Sequence, residues 1–176
     1  MNPLTQIKKI RILPFLIALA LVVAGWTITP ALATPVCNVM TETLAVGHYP
    51  AGLLDLKCKE LPWYLKMNVR GDSDVYVTRH TFPVGAHTGW HTHPGPSLIT
   101  VIAGELTVYE ADDPTCTPHV YHAGESFTDI GCGDVHLVRN EGTETAMDVA
   151  VQIVPAGAAR RIEADAPGNC PLITCP

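Results

Sequence analysis

Three histidines lie within seven residues in the stretch GAHTGWHTHPGPSLITVIAG, which spans residues 85–104. They are His87, His91 and His93. Alternate side chains of an extended strand project from the same face, so His91 and His93 are expected to point the same way. Two imidazoles on one face are half of the donor set that binds a divalent transition metal ion. The pair therefore predicts a metal site.

A further histidine, His136, follows the glycine-rich turn at residues 131–133 and begins another β-rich segment. Three neutral imidazoles that converge inside a barrel would hold a divalent metal ion and leave coordination positions open. His136 is therefore a candidate to join His91 and His93 in one metal site.

Four candidates are open for a fourth coordination position. His87 shares the strand parity of the histidine pair, although Gly89 between them can break the alternation. Gln152 lies on the last predicted strand. Cys132 stands four residues before His136, where a reduced thiolate would be a strong ligand. A water molecule is the remaining alternative and the favoured one.

Short β-rich segments, separated by glycine, proline and aspartate turns, carry these candidate ligands. Many short strands at close spacing, with no amphipathic helical pattern between them, indicate an all-β sandwich or barrel. The predicted strands are Val75–Phe82, Leu98–Ala103, Glu105–Glu110, His119–His122, Ser126–Ile130, Val135–Arg139 and Met147–Val154.

Four segments are predicted along the chain. Residues 1–33 form a signal peptide, 34–72 an N-terminal arm, 73–156 the β-barrel and 157–176 a short C-terminal tail. Basic residues precede an apolar run that ends in the small-x-small pattern at Ala33, where a signal peptidase would cleave. The apolar run is short for a membrane span, which needs about 20 residues. We expect a secreted or periplasmic protein without stable membrane insertion, and an N-terminal anchor is the alternative.

The charge balance excludes one class of partner. The chain has 17 Asp and Glu against 11 Lys and Arg, a net charge of −6 at pH 7 with neutral histidines. Loss of the basic signal peptide would make the remainder more acidic. Because an acidic protein repels the phosphate backbone, nucleic acid is not an expected partner. We expect a small-molecule ligand instead.

An even number of cysteines in an exported chain predicts disulfides. Six cysteines allow 15 pairings, and the sequence does not choose among them. One arrangement has the local bridges Cys37–Cys58 and Cys170–Cys175. In another, Cys116 and Cys132 bridge each other or tie the barrel to the terminal segments. The cysteines are Cys37, Cys58, Cys116, Cys132, Cys170 and Cys175.

The spacing of glycines and histidines resembles the two motifs of the cupin family. The first motif is Gly, five residues, His-x-His, three or four residues, Glu, six residues, Gly. Ser97 stands where this motif has its glutamate. The second motif ends Pro-x-Gly-x2-His-x3-Asn, and Gly131 stands in its proline position, while Gly124 lies one residue upstream of its expected glycine. The matching residues are Gly85, His91, His93, Gly104, Gly133, His136 and Asn140.

The resemblance implies an all-β double-stranded β-helix, the jelly-roll cupin barrel, with an N-terminal arm and a short C-terminal tail. It also implies that the three histidines bind a divalent transition metal ion, Fe, Mn, Ni or Zn. A serine hydroxyl is a poor metal ligand at neutral pH, so we expect no bond from Ser97. The missing carboxylate would weaken metal binding and leave space for water or an anionic substrate.

Three functions are compatible with this site. Cupins with three histidines around iron resemble thiol and ring-cleaving dioxygenases, which suggests a metal-dependent oxidoreductase acting on a small molecule. A metal-dependent isomerase or lyase is an alternative, as is a non-catalytic protein that binds metal or a small ligand. Catalysis is left open, because the nearby acid–base candidates, His87, Tyr109 and Glu105, have no geometric support from the sequence. Cupins often dimerise through their sheets, so a homodimer is compatible.

Overall fold

The computed structural model describes residues 33–170 and 172–175. These residues form antiparallel β-strands and no helix. The strands are β1 (Met40–Tyr49), β2 (Asp55–Glu60), β3 (Trp63–Asn68), β4 (Ser73–Phe82), β5 (His91–Thr92), β6 (Ser97–Ala103), β7 (Glu105–Glu110), β8 (His119–His122), β9 (Ser126–Asp129), β10 (His136–Arg139), β11 (Ala146–Pro155) and β12 (Ile162–Glu163).

Two five-stranded sheets make up the barrel. One has the order β1-β4-β11-β6-β9 and the other β12-β5-β10-β7-β8, while β2 and β3 pair as a separate hairpin. Most neighbours within each sheet are distant in sequence, so the chain crosses repeatedly between the sheets. This is the double-stranded β-helix, or jelly roll, and the predicted all-β fold is confirmed.

Side-chain alternation places polar residues inside this barrel. In β11 every second residue from Ala146 to Val154 is buried, and in β6 Ser97 and Val101 are buried while Leu98 is exposed. Both strands therefore turn one face inward, as the two-residue period of a half-buried strand requires. The apolar core consists of Phe82, Ala86, Val101, Leu106, Val108, Val138 and Ala146.

The segment predicted as an N-terminal arm contains strands that the sequence pattern did not predict. β1 pairs with β4 from Met40 opposite Thr81 to Tyr49 opposite Ser73 and so extends the first sheet. β2 and β3 form a largely exposed hairpin. The two-residue strand β5 was not predicted either.

Two disulfides link the C-terminal tail to the rest of the chain. Cys37 pairs with Cys175 and Cys116 with Cys170, while Cys58 and Cys132 are free and exposed. The local bridges expected from sequence, Cys37–Cys58 and Cys170–Cys175, are therefore wrong. The tail returns to the barrel and brings the true partners to Cα separations of 5.5 and 5.4 Å, within the range that a disulfide spans. Cys116 ties the C-terminal tail to the barrel as expected, but the same expectation for Cys132, and its alternative bridge to Cys116, are wrong because the Cys132 thiol is free.

The predicted signal peptide lies outside the described residues except for Ala33, which forms an isolated β-bridge with Asp165. Within the described part of the chain, no helix has the length and apolar character that a membrane span requires.

Candidate metal centre

The predicted ligands His91, His93 and His136 meet in the described structure. His91 in β5 lies directly opposite His136 in β10, and His93 follows β5 by one residue. One ring nitrogen from each of the three histidines lies within 4.8 Å of the others. We call these three residues the histidine triad.

Backbone carbonyls set the orientation of two triad rings. The Nδ1 atoms of His91 and His93 lie 2.9 and 2.6 Å from the carbonyl oxygens of Gly89 and Arg160. Because a carbonyl only accepts, each Nδ1 donates, and the Nε2 lone pair is left free for a metal ion. The buried Nδ1 of His136 has no hydrogen-bond partner among the described residues. This donor set fits a divalent transition metal ion.

Burial keeps the triad neutral. His91 and His136 are each 4% exposed. Burial, and secondarily the neighbouring imidazoles and Arg161, lowers the pKa of His91 to about 2. Burial likewise lowers the pKa of His136, against the opposing effect of Asp129. Neutral imidazole is the form that binds metal, so the triad does not have to release protons at pH 7.

A cavity of about 250 Å³ lies in front of the triad. Apolar side chains such as Ile99, Phe127 and Val138 form part of its wall. The polar lining consists of Thr41, Thr78, His80, Thr88, Ser97, Asp129, Asp148, Gln152, Arg160 and Arg161 together with the triad.

The three protein candidates for a fourth ligand lie in different places. Gln152 lines the cavity, but its amide is already engaged with Arg160, through the side-chain nitrogen of Arg160 at 2.9 Å and its carbonyl oxygen at 3.2 Å. His87 is buried away from the cavity lining, and its Nδ1 accepts a hydrogen bond from the backbone of Gly89 at 3.2 Å. Residues 88–90 are not in a strand, so the parity shared by His87 and the triad is lost.

Cys132 is exposed and its thiol points to the carbonyl of Pro94 at 3.7 Å. It does not line the cavity. The acid–base candidates Tyr109 and Glu105 are absent from the lining as well. The Tyr109 hydroxyl donates to Glu141 at 2.9 Å, and Glu105 lies 3.4 Å from the exposed ring of His122.

Asp129 is a triad neighbour that the motif comparison did not identify. Its carboxylate oxygens lie 3.6 Å from Nε2 of His93 and 3.6 Å from Nδ1 of His136. The residue is 5% exposed and stands in β9 directly opposite Ser97. The predicted strand Ser126–Ile130 already contained Asp129, but its pairing with β6 is not visible in the sequence.

A second histidine contacts a carboxylate on another part of the cavity wall. His80 in β4 and Asp148 in β11 are register partners, and Nδ1 of His80 lies 2.6 Å from Oδ1 of Asp148. We call them the His80–Asp148 pair. Both side chains line the cavity, and that of Asp148 is only 5% exposed.

Comparisons with known proteins give one family match and several similar solved structures. The family model described as a cupin domain matches residues 78–154. A solved structure from Klebsiella pneumoniae with a double-stranded β-helix domain is 25% identical to this chain, with a TM-score of 0.44. The match covers 52% of this chain and 75% of the Klebsiella chain. A cupin 2 conserved barrel protein from Leptotrichia buccalis is 19% identical, with a TM-score of 0.43, covering 65% of this chain and 40% of its own.

A predicted oxalate decarboxylase from Thermotoga maritima is 19% identical, with a TM-score of 0.39, covering 48% of this chain and 83% of its own. The search of curated proteins gives no match. The described barrel is a jelly roll with a cluster of three histidines that could hold a metal ion. The match to the cupin-domain family model covers residues 78–154, the part of the chain that holds the three histidines.

Proposed function

We propose that the protein is an exported cupin that binds one divalent transition metal ion through His91, His93 and His136 and acts as a metal-dependent oxidoreductase on a small anionic molecule. The observation that carries the proposal is the convergence of three neutral ring nitrogens within 4.8 Å at the wall of a cavity. The disulfides Cys37–Cys175 and Cys116–Cys170 support the exported location, because disulfides persist in oxidising compartments.

The bound metal would supply Lewis acidity and redox chemistry. The cavity residues would select and orient the ligand. Arg160 and Arg161 bring positive charge to the cavity, and the Arg160 guanidinium lies 4.5 Å from the centre of the Tyr76 ring. Glu163 binds Arg161 through two hydrogen bonds, which fix the guanidinium in place. Fixed cations beside an apolar wall favour a small carboxylate or another compact anion.

The His80–Asp148 pair supports catalysis over simple binding. Asp148 holds Nδ1 of His80 and so orients the ring, as the carboxylate does in a Ser-His-Asp triad. Nε2 of His80 is then available to hold or move a proton. We propose His80 as the general acid or base of the reaction, with Asp148 as the positioning residue.

The decisive experiment measures metal content after gentle purification. Wild-type protein should contain about one equivalent of Fe, Mn, Ni or Zn per chain, as the three-histidine site of the described residues predicts. His91→Ala/His93→Ala should contain none while keeping the β-rich circular dichroism spectrum. The matched control is His119→Ala/His122→Ala, which removes two exposed histidines of β8 and should retain the metal. Stoichiometric metal in the triad variant would contradict the proposal.

A non-catalytic binding protein is the second candidate. It is favoured by the position of Tyr109 and Glu105, which lie outside the cavity lining. Cobalt(II)-loaded protein titrated with acetate, oxalate and benzoate tests both candidates, since visible absorption reports anion binding near the metal. If metal-dependent turnover of a carboxylate is found, His80→Ala should abolish turnover and retain Co²⁺ binding. If the His80→Ala variant turned the carboxylate over as fast as the wild type, His80 would not be the general acid or base, which would favour the non-catalytic candidate.

A further inference from the structure

Ser97 and Asp129 form one unit across two strands. Ser97 stands at the position that is a glutamate in the cupin motif. β6 pairs with β9 so that Ser97 lies directly opposite Asp129. Opposite residues of an antiparallel pair have Cβ atoms about 5 Å apart, so a carboxylate on β9 can reach the space that one on β6 leaves. The serine hydroxyl lies 3.4 Å from the Asp129 carboxylate and donates to it.

The backbone fixes Asp129 relative to the triad. Oδ1 of Asp129 accepts a hydrogen bond from the backbone N–H of Gly131 at 2.7 Å. The next N–H, of Cys132, donates to the carbonyl oxygen of His93 at 2.7 Å. The turn after β9 is therefore hydrogen-bonded to the segment that follows β5 and carries His93, which fixes the carboxylate relative to the imidazole.

The distances suit shared coordination. Two ligand atoms that each lie about 2.1 Å from one metal ion are at most about 4.2 Å apart. The carboxylate oxygens of Asp129 lie 3.6 Å from Nε2 of His93 and 3.6 Å from Nδ1 of His136, so both distances are inside that limit. The same separation is long for a direct hydrogen bond, which for N–H···O is about 2.9 Å.

Charge gives a separate argument. The Asp129 side chain is 4% exposed, and among the described residues it forms no salt bridge with lysine or arginine. Its nearest ionisable neighbours are His93 and His136, each with a ring nitrogen 3.6 Å from the carboxylate. A buried carboxylate needs a compensating positive charge. A divalent cation between the three side chains would provide it.

We propose that Asp129 supplies the carboxylate ligand of the metal site, replacing from β9 the glutamate that the cupin motif places on the strand of Ser97. The inference rests on the proposed metal-binding function. It changes the donor set from three nitrogens to three nitrogens and one anionic oxygen. The fourth position is then a protein ligand and not water.

The test is competition for Co²⁺ between a chromophoric chelator and the purified apoprotein, together with the visible spectrum of the Co²⁺ form. Asp129→Asn should weaken Co²⁺ binding at least about tenfold and change the spectrum, because an anionic ligand is lost. The control Asp134→Asn removes the same charge from a nearby residue outside the cavity lining and should change affinity less than about threefold. Ser97→Glu/Asp129→Asn should restore binding, because it returns the carboxylate to β6.

Ser97→Glu alone provides an independent measurement should Asp129→Asn fold poorly, as judged by thermal unfolding with chelator. With Asp129 already a ligand, the added glutamate should strengthen binding by less than about threefold, since two adjacent carboxylates repel. A gain of tenfold or more would show that the position was open and would overturn the inference, as would unchanged affinity in Asp129→Asn. No Co²⁺ binding by the wild type would instead overturn the proposed function itself.

Discussion

The cavity holds two groups of histidines that differ in what their Nδ1 atoms contact. In the triad, Nδ1 of His91 and of His93 donates to a backbone carbonyl. In the His80–Asp148 pair, Nδ1 of His80 contacts a carboxylate at 2.6 Å. A carbonyl partner orients a neutral ring and leaves Nε2 as a metal ligand, whereas a carboxylate partner compensates the positive charge that forms during proton transfer. The same residue type is thus prepared for two kinds of chemistry.

The two groups also differ in how complete they are. The His80–Asp148 pair satisfies its own buried carboxylate. Within the described part of the chain, the buried Nδ1 of His136 in the triad has no hydrogen-bond partner, and Asp129 lies beside neutral rings. We therefore expect the stability of the triad region to depend on bound metal, and that of the pair to be independent of it. The predictions that follow test this difference, from the largest expected effect to the smallest.

Gly131→Ala should damage the triad region most. A Cβ at this position would lie 2.3 Å from the carbonyl oxygen of Gly95, and φ is +62°. The clash would separate the β9 turn from the segment after His93, so we expect a loss of at least about 3 kcal/mol in the free energy of unfolding, together with weakened metal binding. Urea denaturation in the presence of a chelator measures the free energy of unfolding, and competition for Co²⁺ measures the metal affinity.

The matched control is Gly124→Ala. Its φ is +93° and no atom lies within 4 Å of the added Cβ, so only the backbone conformation opposes the substitution. A loss of about 1 kcal/mol is expected, with metal affinity unchanged. Equal losses for both variants would show that the close approach at Gly131 does not hold the site together.

The barrel strands could be predicted from the sequence because the signal for each strand lies within its own few residues. Alternation of apolar and polar residues identified β6 and β11 nearly to their ends, and glycine turns separated them. β5 was missed because a strand of two residues is too short to show an alternating pattern. β1 was missed because its residues are mostly exposed on an edge strand, so the inward-outward pattern that marks a strand is weak.

The site was predicted only as far as spacing along the chain allowed. His91, His93 and His136 were identified because the two motifs record their separations. Asp129 and Asp148 were not, because each depends on which strands become neighbours, and β6–β9 and β4–β11 pairing is non-local. The disulfides failed for the same reason, since Cys37 and Cys175 are 138 residues apart.

His80→Ala should lower stability without affecting the triad. The substitution leaves the carboxylate of Asp148 buried without its partner, which should reduce the free energy of unfolding by about 2 kcal/mol in chelator. Zinc at 100 times its dissociation constant should then add about 2.7 kcal/mol to both the wild type and the variant, because the metal binds elsewhere in the cavity. Urea denaturation with and without Zn²⁺ measures both terms. Loss of the zinc increment in His80→Ala would show that the two groups are one coupled site.

The smallest effect is the acid sensitivity of the metal-free protein. Burial lowers the pKa of His91 to about 2 in the folded state, against about 6.5 in an unfolded chain. As the pH falls below 6.5, the unfolded state binds a proton at this residue that the folded state does not. The stability that His91 contributes is therefore present above pH 6.5 and is lost on acidification.

For His91→Gln the free energy of unfolding should consequently fall less steeply with acidification, by about 1 kcal/mol per pH unit between pH 6 and 4. Urea denaturation in chelator across this range measures the slope. His119→Gln is the matched control, because it removes an exposed ring of β8 outside the cavity and should reproduce the wild-type slope. If His91→Gln also reproduced it, the ring would be protonated equally in both states, and burial would not be what keeps this triad member in its metal-binding form.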